Sequence, residues 1–359
     1  MVPAETPRLR SVLDHFVPYK PGRMPVAPDG RSFKLSSNEN PSGPLPSVVQ
    51  AITAAAEEIN RYPDNGAEAL IAAISARYGV PTSHIAVGCG SVGVTQQLLA
   101  AAAEPGTEVL YAWRSFEAYP MLTDLSGAAS VRVPLRGDTH DLAAMADAVT
   151  ERTRVIFVCN PNNPTGTVVH RAELEDFLDR VPPTCLVVLD EAYREYVRDP
   201  AVPDGLTLYP GYPNLAVLRT FSKAYGLAGM RVGFLAAQEP IAVATRMTML
   251  PFTVSRVAQA AVIASLAAER ELLDRVEAAV GERTRVRDTL LADGWTVPPT
   301  EGNFVWLPLG QDTADFAGEC EAAGISIRPF PPDGARISIG DPEANEALLT
   351  VAKAYPRRH

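Results

Sequence analysis

The sequence predicts an α/β protein: a large unit built on a mainly parallel seven-stranded sheet, followed by a smaller α+β unit. Two observations carry this. Short apolar runs alternate with helical stretches, and polar clusters stand at the carboxyl ends of the runs, where open α/β sheets bind ligands. Strands are expected at 85–87, 108–112, 131–133, 155–158, 186–189, 215–218 and 232–235. Their near-continuous apolar character fits strands covered on both faces. Helical spacing is read at 47–60, 66–78, 115–125, 142–149 and 171–180, and from Gly93 through Ala103. One long helical stretch is expected over 253–292, closed by Asp293-Gly294. Short strands at 304–307, 326–328 and 335–339 around a helix at 314–323 read as the smaller unit. The expected division is an arm over 1–46, a large unit over 47–240 and a small one over 241–359. In the arm, Pro18, Pro21, Pro25 and Pro28 interrupt any helix, while Phe16, Val17 and Tyr19 imply docking.

Composition narrows the function classes. With 359 residues and 47 % apolar content the chain can bury a core without staples. A formal charge of -10 argues against nucleic acid. Cys89, Cys159, Cys185 and Cys320 form no CxxC pair and are expected to pack as small hydrophobes. The histidines show no metal-ligand spacing, so no metal is expected. No leader pattern or membrane-length apolar run is read, and a cytoplasmic setting is expected.

The segment that decides the chemistry follows the strand at 215–218. It reads Arg219-Thr220-Phe221-Ser222-Lys223, and Arg231 follows eight positions after the lysine. A lone lysine is most often a solvated charge. At the end of a buried strand it suits a Schiff base with an aldehyde cofactor. Thr220, Ser222 and Arg231 are the residue types that hold a phosphate.

Gly88 to Gly93 spells the dinucleotide fingerprint G-x-G-x-x-G. That reading needs an acid at the end of the next strand, which ends in Tyr111-Ala112-Trp113. What remains is a phosphate cradle of Gly90, Ser91 and Val92 amides at a helix N-terminus, or a plain tight turn. Asp190 either caps a helix or pairs with a protonated pyridine nitrogen. Tyr193 either packs half-buried or reaches a cofactor's phenolic oxygen. Asn163, in Asn162-Asn163-Pro164-Thr165-Gly166, is a turn residue or a second partner of that oxygen. Arg336 is a charge on an otherwise apolar strand, costly unless paired or facing a cavity. A guanidinium there suits a substrate carboxylate. Arg328, beside Pro329, repeats the feature more weakly or is solvated.

Taken together, these motifs resemble the fold-type-I, aspartate-aminotransferase-like enzymes that use pyridoxal 5'-phosphate, over almost the whole chain. Within them the chain is most similar to the histidinol-phosphate aminotransferases and the actinobacterial aromatic-amino-acid aminotransferases. The resemblance implies that Lys223 carries the cofactor, Asp190 meets its pyridine nitrogen, and Tyr193 and Asn163 meet its phenolic oxygen. It implies Ser91, Thr220, Ser222 and Arg231 as phosphate ligands and Phe116 as the ring stacked on the cofactor. Tyr62, in Arg61-Tyr62-Pro63-Asp64, falls where a tyrosine reaches the neighbouring subunit's phosphate, which implies a homodimer with shared sites. Asn40 and Arg336 fall where the substrate carboxylate is gripped. Tyr19 and Arg328 fall where histidinol-phosphate enzymes hold the distal end.

Three departures favour an aromatic substrate. The turn Cys89-Gly90-Ser91-Val92-Gly93 differs from the Asn-Gly-Ser-Asp-Glu type usual in the histidinol-phosphate group. The segment Ala112-Trp113-Arg114-Ser115-Phe116-Glu117-Ala118-Tyr119 resembles the aromatic group, and the link from Arg328 to Arg336 is short. The expected activity moves the amino group of phenylalanine, tyrosine or tryptophan to 2-oxoglutarate by way of Lys223. The alternatives are histidinol-phosphate transamination, a lyase on the same fold, and a non-catalytic regulatory module. The last usually carries a DNA-binding helix-turn-helix, for which residues 1–46 leave no room.

Overall fold

In the computed structural model, which describes residues 7, 9–14, 16, 18, 22 and 24–356, a large mixed sheet sets every other element. A two-residue strand β1 (Phe33–Lys34) comes first, then helices α1 (Pro46–Ala56) and α2 (Glu68–Tyr78). Strand–helix units follow: β2 (Ile85–Cys89), α3 (Gly90–Ala102), β3 (Glu108–Trp113), α4 (Ala118–Ser126), β4 (Ala129–Pro134), α5 (Leu142–Asp147), β5 (Thr153–Cys159), α6 (Arg171–Arg180) and β6 (Leu186–Asp190). A short α7 (Gly205–Leu208) leads to β7 (Leu215–Thr220) and β8 (Val232–Ala236). Three helices come next, α8 (Glu239–Met247), α9 (Arg256–Ala267) and α10 (Glu269–Ala292). The chain closes with β9 (Phe304–Leu307), α11 (Thr313–Ala322), β10 (Ile325–Ser326), β11 (Arg328–Phe330), β12 (Gly334–Ser338) and α12 (Pro342–Ala354).

The seven-stranded sheet has the order β2-β8-β7-β6-β5-β3-β4. Only β8 runs against its neighbours, β2 and β7. Its two reversals leave β2 parallel to β7, so β2, β3, β5, β6 and β7 end on one edge. Branched apolar residues fill both faces in strict alternation, as the pleat requires. Ile156 and Val158 belong to one core with Val187 and Val217, while Val155 and Phe157 belong to the other with Val188 and Ala216. A separate core forms on the antiparallel sheet β11-β12-β9, with Val286, Leu290, Trp295, Phe316 and Leu348.

Several elements differ from the sequence expectation. The stretch 253–292 is two helices, α9 and α10, parted at Ala268. No Gly or Pro marks the break; α9 packs on α1 and α2, whereas α10 runs on to α12. Val254, Ala258, Ala261, Val262, Leu272 and Val276 belong to the core of the large sheet. The expected strand 326–328 is two strands that change partners at Ile327. Ile325–Ser326 pairs with β1, and Arg328–Phe330 pairs with β12. β1 thus gives order to a stretch expected to be irregular. Helices α8 and α12 were not expected. Both open on proline at the first turn, and Asp341 caps α12 through the Ala344 amide at 2.8 Å. Cys89 is exposed, not packed, because it sits at the turn into α3; the other cysteines are buried thiols. No described helix is long and apolar enough to cross a membrane, and no described residues cluster as metal ligands.

Candidate active site

The shared edge of the large sheet gathers the chemistry. Lys223 follows β7, and its Nζ donates to the Ser37 carbonyl at 2.8 Å. Burial lowers its pKa to about 7, assisted by the Arg336 guanidinium and opposed by Glu39. The amine is thus within reach of its neutral form near physiological pH.

Asp190 is the last residue of β6, buried at 4 % exposure. Tyr119, on α4, donates its hydroxyl to Oδ2 at 2.8 Å; Oδ1 is buried without a hydrogen-bond partner. Burial pushes the carboxyl up to about 6, against the Tyr119 hydroxyl and the nearby Ala192 amide, which favour the charged form. A buried carboxylate oxygen in want of a donor fits a protonated ring nitrogen.

Tyr193 accepts from Asn38 Nδ2 at 2.9 Å, which leaves its own O–H to donate. Burial raises its pKa well above the usual phenol range. Arg336, on β12, donates to Asn163 Oδ1 at 2.6 Å and to the Ser36 carbonyl at 2.6 Å. With Oδ1 taken, Asn163 keeps its NH₂ for another acceptor.

The turn into α3 lies against Arg231. Gly90 has φ +72, and a Cβ there would stand 2.4 Å from Arg231 Nη2. Only glycine allows that approach. The Gly90 amide donates to the Arg231 carbonyl at 3.0 Å, because the chain bridges Gly90 to Val232 there. The expected cradle of three amides is therefore corrected: Ser91 and Val92 remain at the helix start, and Gly90 contributes space. Arg231 Nη1 donates to Ser222 Oγ at 3.3 Å, and Thr220 Oγ1 accepts from the Ser222 amide at 3.1 Å. The hydroxyls and the guanidinium thus form one cluster beside the positive end of α3.

Phe116 packs edge-on against Tyr119, with ring centroids 5.5 Å apart. Asn40 donates to the Ala224 carbonyl at 3.1 Å, next to Lys223 in the chain. Arg328 is not solvated: it makes a two-pronged ion pair with Glu117. Tyr62 stands apart from this group, 78 % exposed and stacked on Phe252 at 4.4 Å. Tyr19 lies outside the described residues.

Sequence reasoning passed over three residues. Asn38, fully buried with φ 53, ties Tyr193 to Ser338 through its amide groups and backbone. Asparagine is the residue that best tolerates a left-handed backbone after glycine, and that is the signal at Asn38. Tyr119 and Glu117 lie within a segment already singled out, one helical turn and one residue from Phe116. Their partners come from distant strands.

The chain matches the family described as aminotransferase class I and II over residues 31–351. It is 65 % identical over 353 residues to an aromatic amino acid aminotransferase of Thermobifida fusca, covering 98 % of each chain. It is 60 % identical over 352 residues to one of Streptomyces coelicolor, again covering 98 % of each. Among solved structures, histidinol-phosphate aminotransferase from Sinorhizobium meliloti, in complex with pyridoxal-5'-phosphate, superposes with TM-score 0.87 at 28 % identity over 98 % of this chain and 99 % of that one. A Thermus thermophilus aspartate aminotransferase mutant shares the fold, with TM-score 0.81 at 21 % identity over 97 % and 98 % of the two chains.

Proposed function

We propose, for a chain that belongs to the class I and II aminotransferases, that its amino donors are aromatic L-amino acids and its acceptor is 2-oxoglutarate. The reaction class rests on Lys223: a buried amine with a pKa lowered to about 7, in the crevice that also holds Asp190, Tyr193 and Arg336. The donor class rests on near-full-length likeness to two aromatic amino acid aminotransferases.

The residues present fit pyridoxal 5'-phosphate. The uncovered Oδ1 of Asp190 suits its ring nitrogen, and Tyr193 and Asn163 offer donors for its phenolic oxygen. Ser91, Val92, Thr220, Ser222 and Arg231 suit its phosphate, and Phe116 its ring face. Bound there, the cofactor supplies a carbonyl that takes up amino groups and a ring that withdraws electrons. Lys223 is the group that takes the proton from the substrate α-carbon and returns it, because its neutral form is populated near neutral pH. Arg336 holds the α-carboxylate with Asn40 close by, and burial keeps water from the exchange.

The working unit in this reading is a homodimer. Tyr62 is exposed together with Ile59, Met247, Leu250 and Phe252, at 78, 71, 80, 74 and 39 % respectively. Apolar side chains left open in this way suit cover by a second copy, with Tyr62 reaching that copy's phosphate.

The test is a pair of half-reactions. Holoenzyme is mixed with L-phenylalanine or with L-histidinol phosphate, and the cofactor absorbance is followed. Faster conversion with phenylalanine is the expected result. Faster conversion with histidinol phosphate would replace the aromatic donor by the phosphate ester.

A further inference from the structure

The loop after β5 carries Asn163, and the loop after β3 carries Phe116. Asn162, fully buried, ties the two loops together. Its Nδ2 donates to the Arg114 carbonyl at 3.2 Å and to Thr165 Oγ1 at 2.9 Å. A carbonyl can only accept, so the first contact fixes which end of the amide is nitrogen. Oδ1 then takes the Ser115 hydroxyl at 2.8 Å and His140 Nε2 at 3.1 Å. His140 must therefore carry its proton on Nε2. Its Nδ1 is buried without a hydrogen-bond partner among the described residues, a poor place for a second N–H. Burial acts in the same sense and lowers the ring's pKa to about 4. The ring is thus a neutral donor, and the next residue anchors it. Asp141 caps α5 through the Ala144 amide at 3.1 Å, while Leu142 and Met145 seat that helix in the core. The β5 loop borders the chemistry on two sides. The Asn160 amide donates to the Asp190 carbonyl at 3.0 Å. Arg336, whose charge acts on Lys223, donates to Asn163 Oδ1 at 2.6 Å.

We infer that His140 and Asn162 are positioning residues for the cofactor: through the shared oxygen of Asn162 they lock the β3 and β5 loops together, and so hold Phe116 and Asn163 in fixed relation. This rests on the cofactor reading above and goes beyond it, since neither residue is among the groups that meet the cofactor there. Without His140, Oδ1 keeps only the Ser115 hydroxyl, a rotor that can turn to another acceptor, in place of a fixed ring. Asn163 follows Asn162 directly, so slack in the junction passes to the amide offered to the phenolic oxygen. A hydrogen bond to that oxygen favours its charged form. Loosening Asn163 therefore raises the pH at which the bound cofactor's absorbance changes.

The experiment compares wild type, His140→Leu, His140→Gln and Asn162→Ala. Each holoenzyme is titrated with pH while the cofactor absorbance is followed. Each cofactor-free protein is titrated with pyridoxal 5'-phosphate by fluorescence and melted in urea. His140→Leu keeps bulk and loses the donor, whereas His140→Gln returns an N–H. In His140→Leu the absorbance midpoint should rise by about half a pH unit to one unit, the worth of one hydrogen bond. Cofactor affinity should fall roughly three- to tenfold. Asn162→Ala should show larger changes in both, and His140→Gln should lie near wild type. Should Asn162→Ala fail to fold, His140→Leu decides. A folded His140→Leu protein with the wild-type midpoint and affinity, whatever its urea stability, would make the ring mere packing and overturn the proposal. A His140→Gln protein as impaired as His140→Leu would overturn it too. Two failures are separable. A wild type that takes up no pyridoxal 5'-phosphate removes the cofactor reading and this inference with it. A wild type that binds it, beside an unchanged His140→Leu, removes the positioning role alone.

Discussion

The hydroxyl of Tyr119 covers one oxygen of Asp190 at 2.8 Å, and the other oxygen is buried with no hydrogen-bond partner among the described residues. In the cofactor-free protein this half-satisfied carboxyl has its pKa raised from 3.8 to about 6. Its favourable, protonated contribution is present below about pH 4 and is lost as pH rises through 6. Above that, the buried charge costs up to about 3 kcal/mol. Cofactor-free Asp190→Asn should therefore be more stable than wild type at pH 8, with the gap closing toward pH 4 in urea melts. A gap independent of pH would refute the assignment. In the holoenzyme the same change should lower turnover roughly 10²- to 10³-fold.

Arg336 acts on Lys223 as well as on substrate. Burial is the larger cause of the lowered lysine pKa, and the Arg336 charge is the next. The folded protein gives up this proton at a lower pH than the unfolded chain. Lys223 therefore destabilises the fold below about pH 7, and stability rises between about 7 and 10.5. The rate at which cofactor-free protein captures pyridoxal 5'-phosphate should follow a midpoint near pH 7. In Arg336→Gln that midpoint should move up, and kcat/KM for phenylalanine should fall by about two orders of magnitude. An unmoved midpoint would separate the two roles.

Gly90→Ala tests the phosphate end. The added methyl meets Arg231 Nη2 and forces a side chain into φ +72, a cost of about 1–3 kcal/mol. Displacing the guanidinium should weaken cofactor binding about tenfold or more, read from fluorescence titration. Tight binding by a stable Gly90→Ala protein would show that Arg231 does not hold the phosphate.

Much of this was legible in the chain because its causes are local. The alternating faces of β5 follow from Val155-Ile156-Phe157-Val158, and the functional strand ends follow from polar residues set abruptly after apolar runs. The parting of α9 from α10 at Ala268 was not legible, since what ends the helix is packing against α1 and not a breaker residue. Nor was the state of Arg328: whether a guanidinium is solvated or spent on Glu117 depends on a pairing across 211 positions. The Gly90 amide failed as a cradle for a similar reason. The carbonyl that takes it belongs to Arg231, brought back beside it by β8.

Asn38 has a consequence for how the molecule comes into being. Its partners are Tyr193, Asn303 and Ser338, the last 300 positions away. A chain leaving the ribosome exposes Asn38 a full 300 positions before Ser338, so the pairing next to Ser37, which accepts from Lys223, stays unfinished until β12 appears. The large sheet can assemble as its strands emerge. The crevice can close only after β12 has emerged, which ties the onset of activity to a strand made 300 positions after Asn38.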